Sequence, residues 1–554
     1  MATSTVVNAA LFLVGAHAGY LLAIRARSGR TVEAGSSGRT VRPPSARRPV
    51  QRSADQSQLP ARRRAGPFNL DKRAGLRAAV AARAVGRPVK LVLTRDQMFT
   101  STGHRPRTEQ DVRLIADEDG TIVSTEHHTL TETSTVAHFC EPAGLSTRIL
   151  YASPHLVVSH RTARINAPTP CFMRGPGEAP GLFALEVAID ELAERARIDP
   201  LELRIRNHAD ADQTSGKPWS GKHLLQCYQE GADRFGWKDR PAVPRSLQRG
   251  GVQVGWGMST ATYPGRRMPA GCRVVTDADG HVEFSSATHE VGNGVRTVMT
   301  QVAADTAGLP IDRVSFLSGD SAFPAAPYSG ASQTTATVGS AVFAAADEWR
   351  RRFIAALVGD ADSPLFGADP ATVDIGTVDP RAAAAYRERL SFSTSSDSGD
   401  QSTQAFQSFG AHFCEVEVDE QIGRASVTRW VAVMDCGRVL NPKLARNQVM
   451  GGITFGLGMA LLEQVPYDDA TALPLGEYYL PTHADRPDFD ISFLDHPDFH
   501  LDPIGVRGIG EIGTCGVPAA IANAIHHATG KRLRDLPITL EDLMIPFEQP
   551  GGAA

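Results

Sequence analysis

The residue whose type and setting speak most directly of chemistry is Glu511, inside the run Gly508-Ile509-Gly510-Glu511-Ile512-Gly513. The spacing is formally that of a dinucleotide fingerprint, in which glycines let the backbone approach a pyrophosphate at a helix start. Three features argue against that use. The preceding stretch, DHPDFHLDPIGVR (495–507), holds prolines and no apolar strand, so the βαβ context is missing. About 40 residues follow the loop, fewer than a complete unit needs. A carboxylate within the loop would also repel a pyrophosphate. Among neutral neighbours the same carboxylate suits a proton acceptor, its pKa open to upward tuning by burial. The structural alternative is a glutamate capping the next helix near its dipole.

A second candidate is Arg174, at the mouth of a loop running from Met173 through Gly175 and Gly177 to Gly181. Glycine and proline make this loop irregular, and it hands over to a helix whose N-terminal N–H groups favour an anion. The commoner role for a lone arginine is an ion pair, here with Glu178 or Glu186. Two further loops share the design. In one, Gly292 and Gly294 flank the short amide of Asn293, so a ligand can come close to the backbone. In the other, residues 329–335 (SGASQTT) bring hydroxyl and N–H groups to a helix start, suited to phosphate or pterin oxygens. The seven cysteines (140, 171, 227, 272, 414, 436 and 515) are scattered without a C-x-x-C pair. That argues against structural zinc, against an iron–sulfur cluster held by this chain, and against a disulfide framework. They read as small buried hydrophobes.

The elements that must position these loops alternate in type. Residues 74–85 (AGLRAAVAARAV) form an alanine-rich helix stopped by Gly86, and 88–94 a β-branched strand. Alternating strand candidates lie in 107–125 and 157–165. After Gly181, Leu182, Leu185, Ile189, Leu192 and Ala196 recur at helical spacing. The interspersed pattern predicts a mixed α/β class. At 554 residues the chain is long for one core. Its 57 basic and 61 acidic residues give no global signal for nucleic acid or an anionic membrane.

The first 65 residues differ from the rest. Residues 6–24 are apolar but borderline for a span, and Asn8 and His17 weaken it. Residues 25–64 carry eleven arginines, no lysine and two acidic residues among many Ser, Pro and Gly, a composition that reads as disordered. The segment is expected to be unrelated to the domains that follow.

Taken in order, the loops cease to be independent. The stretches GRPVKLVLTRDQMF (86–99), MRGPGEAPGLFALEVAIDELA (173–193), VGNGVRTVMTQVAADTAGLP (291–310), FGAHFCEVEVDEQIGRASVTRWVAVMDCGRVLNP (409–442), LARNQVMGGITFGLG (444–458) and IGVRGIGEIGTCGVPAAIANAIHHATGKRLRDLPIT (504–539) resemble the xanthine dehydrogenase/aldehyde oxidase family of molybdenum hydroxylases. The likeness is to the molybdenum-cofactor-binding large subunit of the bacterial aldehyde oxidase-like branch, over roughly residues 66–545. It implies two elongated cofactor-binding domains, an incomplete first at 66–235 and a second at 236–554, with the family's N-terminal α/β hammerhead domain absent. It implies molybdopterin cytosine dinucleotide as the cofactor, its molybdenum held by the pterin dithiolene and by no protein ligand.

The resemblance also implies roles. Glu511 becomes the general base, and Arg174 orients substrate or stabilises charge growing on its oxygen. Gly292, Asn293, Gly294, Ala331, Ser332, Gln448 and Gly510 become cofactor contacts. Where the family carries glutamine this chain has Asn293, one methylene shorter, and residues 66–72 (GPFNLDK) do not preserve the family's G-G-x-F-G loop. The implied reaction is water-derived oxidative hydroxylation of aldehydes or N-heterocycles. Electrons leave to partner subunits carrying [2Fe–2S] centres and FAD, in a cytoplasmic or, alternatively, periplasmic complex. The competing expectation is a truncated, non-catalytic remnant of such a subunit. A nucleotide-dependent dehydrogenase built on the 508–513 loop is the least favoured alternative.

Overall fold

The computed structural model describes residues 8–12, 21–25, 69–466 and 478–544. The expected disorder of 25–64 falls almost wholly outside these, as do positions 66–68 of the departed glycine loop. Of the apolar N-terminal stretch, Asn8–Phe12 and Leu21–Arg25 are strands that pair antiparallel. Leu21–Arg25 in turn pairs with Val89–Val92. Among the described residues no helix is long and apolar enough to cross a membrane. The chain divides into two compact units, each assembled from separated stretches: residues 1–102, 266–400 and 497–507, and residues 103–265, 401–496 and 508–554.

In the first unit a four-stranded sheet runs in the order Val314–Ser318, Val282–Ser286, Ala270–Thr276, Phe392–Ser396. Val282–Ser286 and Val314–Ser318 are parallel, with Ser286 opposite Ser318, and the helix Val295–Ala307 makes the crossover between them. That helix packs against the 26-residue helix Thr334–Gly359. The buried side chains of Phe284, Met299, Trp349 and Phe353 supply apolar area to this unit. The topology places two of the glycine-rich loops. Residues 287–294 leave the C-terminal end of one parallel strand, and residues 319–333 leave the C-terminal end of its neighbour. The carboxyl ends of parallel strands are where open α/β sheets bind ligands.

The same unit contains the turn 497–507, organised by Asp502, which is 1% exposed. Its Oδ1 accepts from the N–H groups of Ile504 (3.0 Å) and Val506 (3.2 Å), while Oδ2 is buried with no partner. Burial pushes this carboxyl from 3.8 to about 7 against the pull of those N–H groups and of Arg267.

In the second unit a five-stranded sheet runs Asp488–Phe493, Arg424–Asp435, Gln407–Asp419, Val252–Pro264, Leu247–Arg249. Gln407–Asp419 is buried along nearly its whole length because helices cover the sheet. Leu224–Phe235 packs over Gln407–Asp419 and Arg424–Asp435, and Val517–Thr529 over Val252–Pro264 and Gln407–Asp419. A separate three-stranded sheet, Thr108–Ala116, Ile122–Ser134, His155–Ile165, adjoins the helix Glu178–Ala196. Glu186, inside that helix, is fully buried and charge-balanced. It takes Arg204 Nε at 2.9 Å, Tyr151 Oη at 2.5 Å and the Thr260 N–H at 2.9 Å.

Close approach of Val517–Thr529 to the sheet depends on glycines in the strand. A Cβ at Gly257 would lie 2.3 Å from the Ala520 carbonyl oxygen and the Ala524 nitrogen, and one at Gly255 would lie 1.9 Å from the Ala524 oxygen. The obstacles are backbone, which cannot swing aside. Gly257→Ala is therefore expected to destabilise the chain by at least about 1–3 kcal/mol, the usual cost of overpacking, measured by chemical denaturation. A second prediction concerns Asp502. Its raised folded pKa gives stability that is present below about pH 4 and lost as pH rises through about 7. Asp502→Asn should flatten denaturation midpoints across that window, with the difference from the parent growing as pH rises.

Candidate active site and cofactor loops

Glu511 lies where residues 508–511 enter a short turn, Ile512–Thr514, ahead of the helix Val517–Thr529. The nearest strand, Asp488–Phe493, ends well before it and residues 494–510 hold no strand, so the strand–loop–helix of a dinucleotide unit is not formed. Glu511 stands at the N-cap of that turn without a side-chain capping bond, and Gly516, at φ +87°, begins the longer helix. Capping does not explain this glutamate.

Arg174 reaches the same place from the loop before the helix Glu178–Ala196. Its Nε donates to the Gly510 carbonyl at 2.8 Å and its Nη2 to the Gln448 carbonyl at 2.7 Å. The guanidinium thus bridges the helix Pro442–Leu461 and the peptide bond that leads into Glu511. Burial pulls the Arg174 guanidinium below its usual value, while the neighbouring Glu511 carboxylate and Cys515 thiol act in the opposite sense. The alternative of an ion pair with Glu186 is not what forms: Glu186 is committed to Arg204.

Glycines set the spacing of these parts. A Cβ at Gly452 would sit 2.6 Å from the Gly513 carbonyl carbon, and one at Gly513 would sit 2.9 Å from Val449 Cα. The Thr514 hydroxyl donates to the Gly452 carbonyl at 3.1 Å, locking the turn to the helix. Cys515 is fully buried here, its Sγ 3.5 Å from the Glu511 carbonyl oxygen. Burial, reinforced by Glu178 and Glu511, holds its thiol well above the usual range, so it packs as a neutral group. Glu511, Arg174, Gln448 and Gly510 are therefore neighbours, although they come from three distant stretches of chain.

The remaining predicted residues belong to the first unit. Gly292, at φ +94°, has open space where a side chain would project. The N–H groups of Gly292 (2.9 Å) and Gly294 (3.0 Å) both donate to Glu290 Oε1, and the Arg296 N–H to Oε2 at 3.4 Å. Glu290 thus supplies the negative charge that the N-terminus of Val295–Ala307 favours. What the loop leaves unsatisfied is Asn293 Oδ1, buried without a partner. A neutral amide oxygen, rather than a row of N–H groups, is what this loop offers a ligand.

The 329–335 loop is built in the opposite way. Ala331 (φ +54°) and Ser332 (φ +52°) are consecutive non-glycine residues in the left-handed region, a conformation that costs roughly 1–2 kcal/mol per residue. They lead through Gln333 into Thr334–Gly359, whose N-terminus has no side-chain cap. Left-handed backbone ahead of an uncapped helix end is suited to anionic or carbonyl oxygens. The two loops are tied together: Ser329 Oγ donates to the His289 carbonyl at 2.9 Å and lies 3.3 Å from Thr288 Oγ1. An orphaned amide oxygen, an open glycine and an uncapped helix start fit a polar heterocyclic cofactor with phosphate groups. Among the described residues no cluster of His, Cys, Asp and Glu could hold a metal ion directly.

Sequence reasoning did not find Glu290, Arg105 or Glu141. Glu290 had a usable signal, an acid just ahead of a G-x-G helix start. Arg105 and Glu141 had none: Arg105 donates to the Arg174 carbonyl, Glu141 accepts the Gly177 N–H, and the two face each other at 3.5 Å, all from positions distant in sequence.

With this geometry established, the comparisons define the class. Residues 74–208 and 230–487 match two families of molybdopterin cofactor-binding domain. The chain belongs to the xanthine dehydrogenase/aldehyde oxidase family of molybdopterin-binding proteins. It is 39% identical over 481 residues to the aldehyde oxidoreductase molybdenum-binding subunit PaoC of Escherichia coli (strain K12), covering 85% of this chain and 65% of that protein. It is 28% identical over 505 residues to the putative xanthine dehydrogenase molybdenum-binding subunit XdhA of the same organism, covering 84% of this chain and 66% of that protein. The chain thus spans just under two thirds of these relatives' length. Among solved structures, the quinoline 2-oxidoreductase of Pseudomonas putida 86 shares the fold, with a TM-score of 0.73, 23% identity and coverage of 84% of this chain and 65% of that one. The aldehyde oxidoreductase of Desulfovibrio gigas gives 0.71 at 25% identity, covering 85% of this chain and 52% of that one.

Glu290→Ala removes the acceptor of three N–H groups. It is expected to lower stability by about 1 kcal/mol, as lost caps do, and to reduce molybdenum and pterin content. Glu290→Gln keeps one acceptor oxygen and should lie between it and the parent. Metal analysis and denaturation of the three purified proteins check this.

Proposed function

We propose that this chain is the catalytic subunit of an oxidoreductase that hydroxylates aldehydes or N-heterocycles with oxygen from water. For an aldehyde the balance is aldehyde plus water giving carboxylic acid, two protons and two electrons. The observation that carries the reading is the junction at Arg174, whose guanidinium holds the peptide bond preceding Glu511 in a glycine-lined turn. The names of PaoC and XdhA, both molybdenum-binding subunits, support the same class.

The cofactor is proposed to be molybdopterin cytosine dinucleotide, with Asn293, Gly292, Gly294, Ala331, Ser332, Gln448 and Gly510 as its contacts. When bound, it supplies the two-electron acceptor. The chain's own residues supply the rest. The Glu511 carboxylate removes the proton from the water-derived nucleophile, a task worth about 10²–10⁴-fold to a general base. Arg174 Nε and Nη2 are engaged by carbonyls, so Nη1 is the edge of the guanidinium left to face a substrate oxygen. Electrons pass to partner subunits, proposed to carry [2Fe–2S] centres and FAD.

Glu511→Gln, co-expressed with its partners, should retain molybdenum and lose turnover by about 100-fold or more. Turnover at the parent's rate would remove Glu511 from the base role. A parent complex that contains no molybdenum would overturn the catalytic reading and leave a non-catalytic remnant.

A further inference from the structure

The loop that carries Arg174 is fastened by residues outside the proposed chemistry. Glu141 is 0% exposed, and its Oε1 accepts the Gly177 N–H at 2.5 Å and faces Arg105 Nη1 at 3.5 Å. Arg105 Nη2 donates to the main-chain carbonyl of Arg174 at 2.5 Å. One buried carboxylate is therefore connected to both ends of the turn 174–177, directly at Gly177 and through Arg105 at Arg174. Arg105 is delivered by a backbone pairing, Cys171 N–H to the His104 carbonyl at 2.9 Å. Gly177, at φ +82°, leans on the next residue along from Glu141. A Cβ there would lie 2.8 Å from the Pro142 carbonyl oxygen. The arrangement is costly for mere packing. Glu141 Oε2 is buried with no partner, and burial pushes this carboxyl upward in spite of Arg105 and the Gly177 N–H.

We infer that Glu141 and Arg105 are positioning residues that fix the turn 174–177 and thereby set where the Arg174 guanidinium lies. The inference rests on the functional reading above for its catalytic consequence, but not for the tether itself. The two residues act as one device. Arg105 without Glu141 loses the charge that holds it under the Arg174 carbonyl, and Glu141 without Arg105 is a buried carboxylate with no counter-ion. A displacement of about 1 Å at such a site costs on the order of 10²-fold in rate.

The test uses the complex assembled with its partner subunits, carrying Glu141→Ala, Glu141→Gln, Arg105→Met, Arg105→Lys or the double variant Glu141→Ala/Arg105→Met. Amide hydrogen exchange of peptides spanning 169–180 is read against peptides from the strand Gln407–Asp419. Molybdenum content, kcat and KM are measured on the same samples. Exchange at 169–180 should rise about 10-fold or more in Glu141→Ala and Arg105→Met, with the control strand unchanged. In these two variants kcat should fall about 10- to 100-fold below the parent's with molybdenum retained. Arg105→Lys should recover part of the loss, and the double variant should be no worse than either single one, as expected for a shared device. Unchanged exchange at 169–180 in both single variants overturns the inference whether or not the enzyme turns over. Losses that multiply in the double variant also overturn it, as do losses that only follow lost molybdenum. A parent without molybdenum or turnover counts against the functional reading, while the exchange comparison still decides the tether.

Discussion

The candidate active site depends on one guanidinium. Arg174 donates to two main-chain carbonyls, one in the helix Pro442–Leu461 and one in the turn that leads into Glu511, and so ties residue 448 directly to residue 510 beside the Thr514–Gly452 bond. Hydrogen bonds from a charged donor are about twice as strong as neutral ones, and a planar fork also fixes direction. The junction is dense because its walls are glycine: Gly452 and Gly513 meet with backbone against backbone. The sheet contributes at longer range. Gly255 and Gly257 bring the helix Val517–Thr529 down onto the strand Val252–Pro264, which fixes where the turn ahead of that helix begins. Strand, helix, turn and glutamate form one mechanical series.

The two cofactor loops of the first unit show that similar sequences can present opposite faces. Both follow the carboxyl ends of neighbouring parallel strands, and both precede helices. In the first, Glu290 has already consumed the N–H groups that a glycine-rich helix start usually offers, and the available group is an amide oxygen. In the second, two left-handed residues aim backbone at an uncapped helix end. A ligand spanning them meets a neutral polar group at one and a partly positive backbone at the other.

How much of this was legible in the sequence varies with the kind of interaction. The helices at Glu178–Ala196 and Asn69–Val85 follow apolar spacing and glycine stops, and the structure places them within a few residues of expectation. Glu511 was legible because a charge in a G-x-G-x-x-G loop contradicts the loop's usual ligand. The seat of Arg174 was not. Two carboxylates lie close by in sequence, and an ion pair is the commoner role for a lone arginine. Main-chain acceptors leave no mark on residue type. For the same reason Arg105 and Glu141 passed unnoticed, although burying a carboxylate completely is among the more expensive choices a fold makes. The interleaving of stretches into two compact units was also hidden, since contacts between residues hundreds of positions apart carry no local signature.

The carbonyl seat of Arg174 has an evolutionary corollary. A side-chain partner can be lost by a single base change, whereas a carbonyl is present whatever residue is encoded. Positions 448 and 510 can therefore drift in identity, so far as this junction is concerned, without unseating the arginine. They cannot drift in register. One residue inserted or deleted between Pro442 and Gly452, or between Gly508 and Gly513, would rotate or shift the carbonyl away from the fork. Variation in descendants of this chain should accumulate there as substitutions, with length held constant.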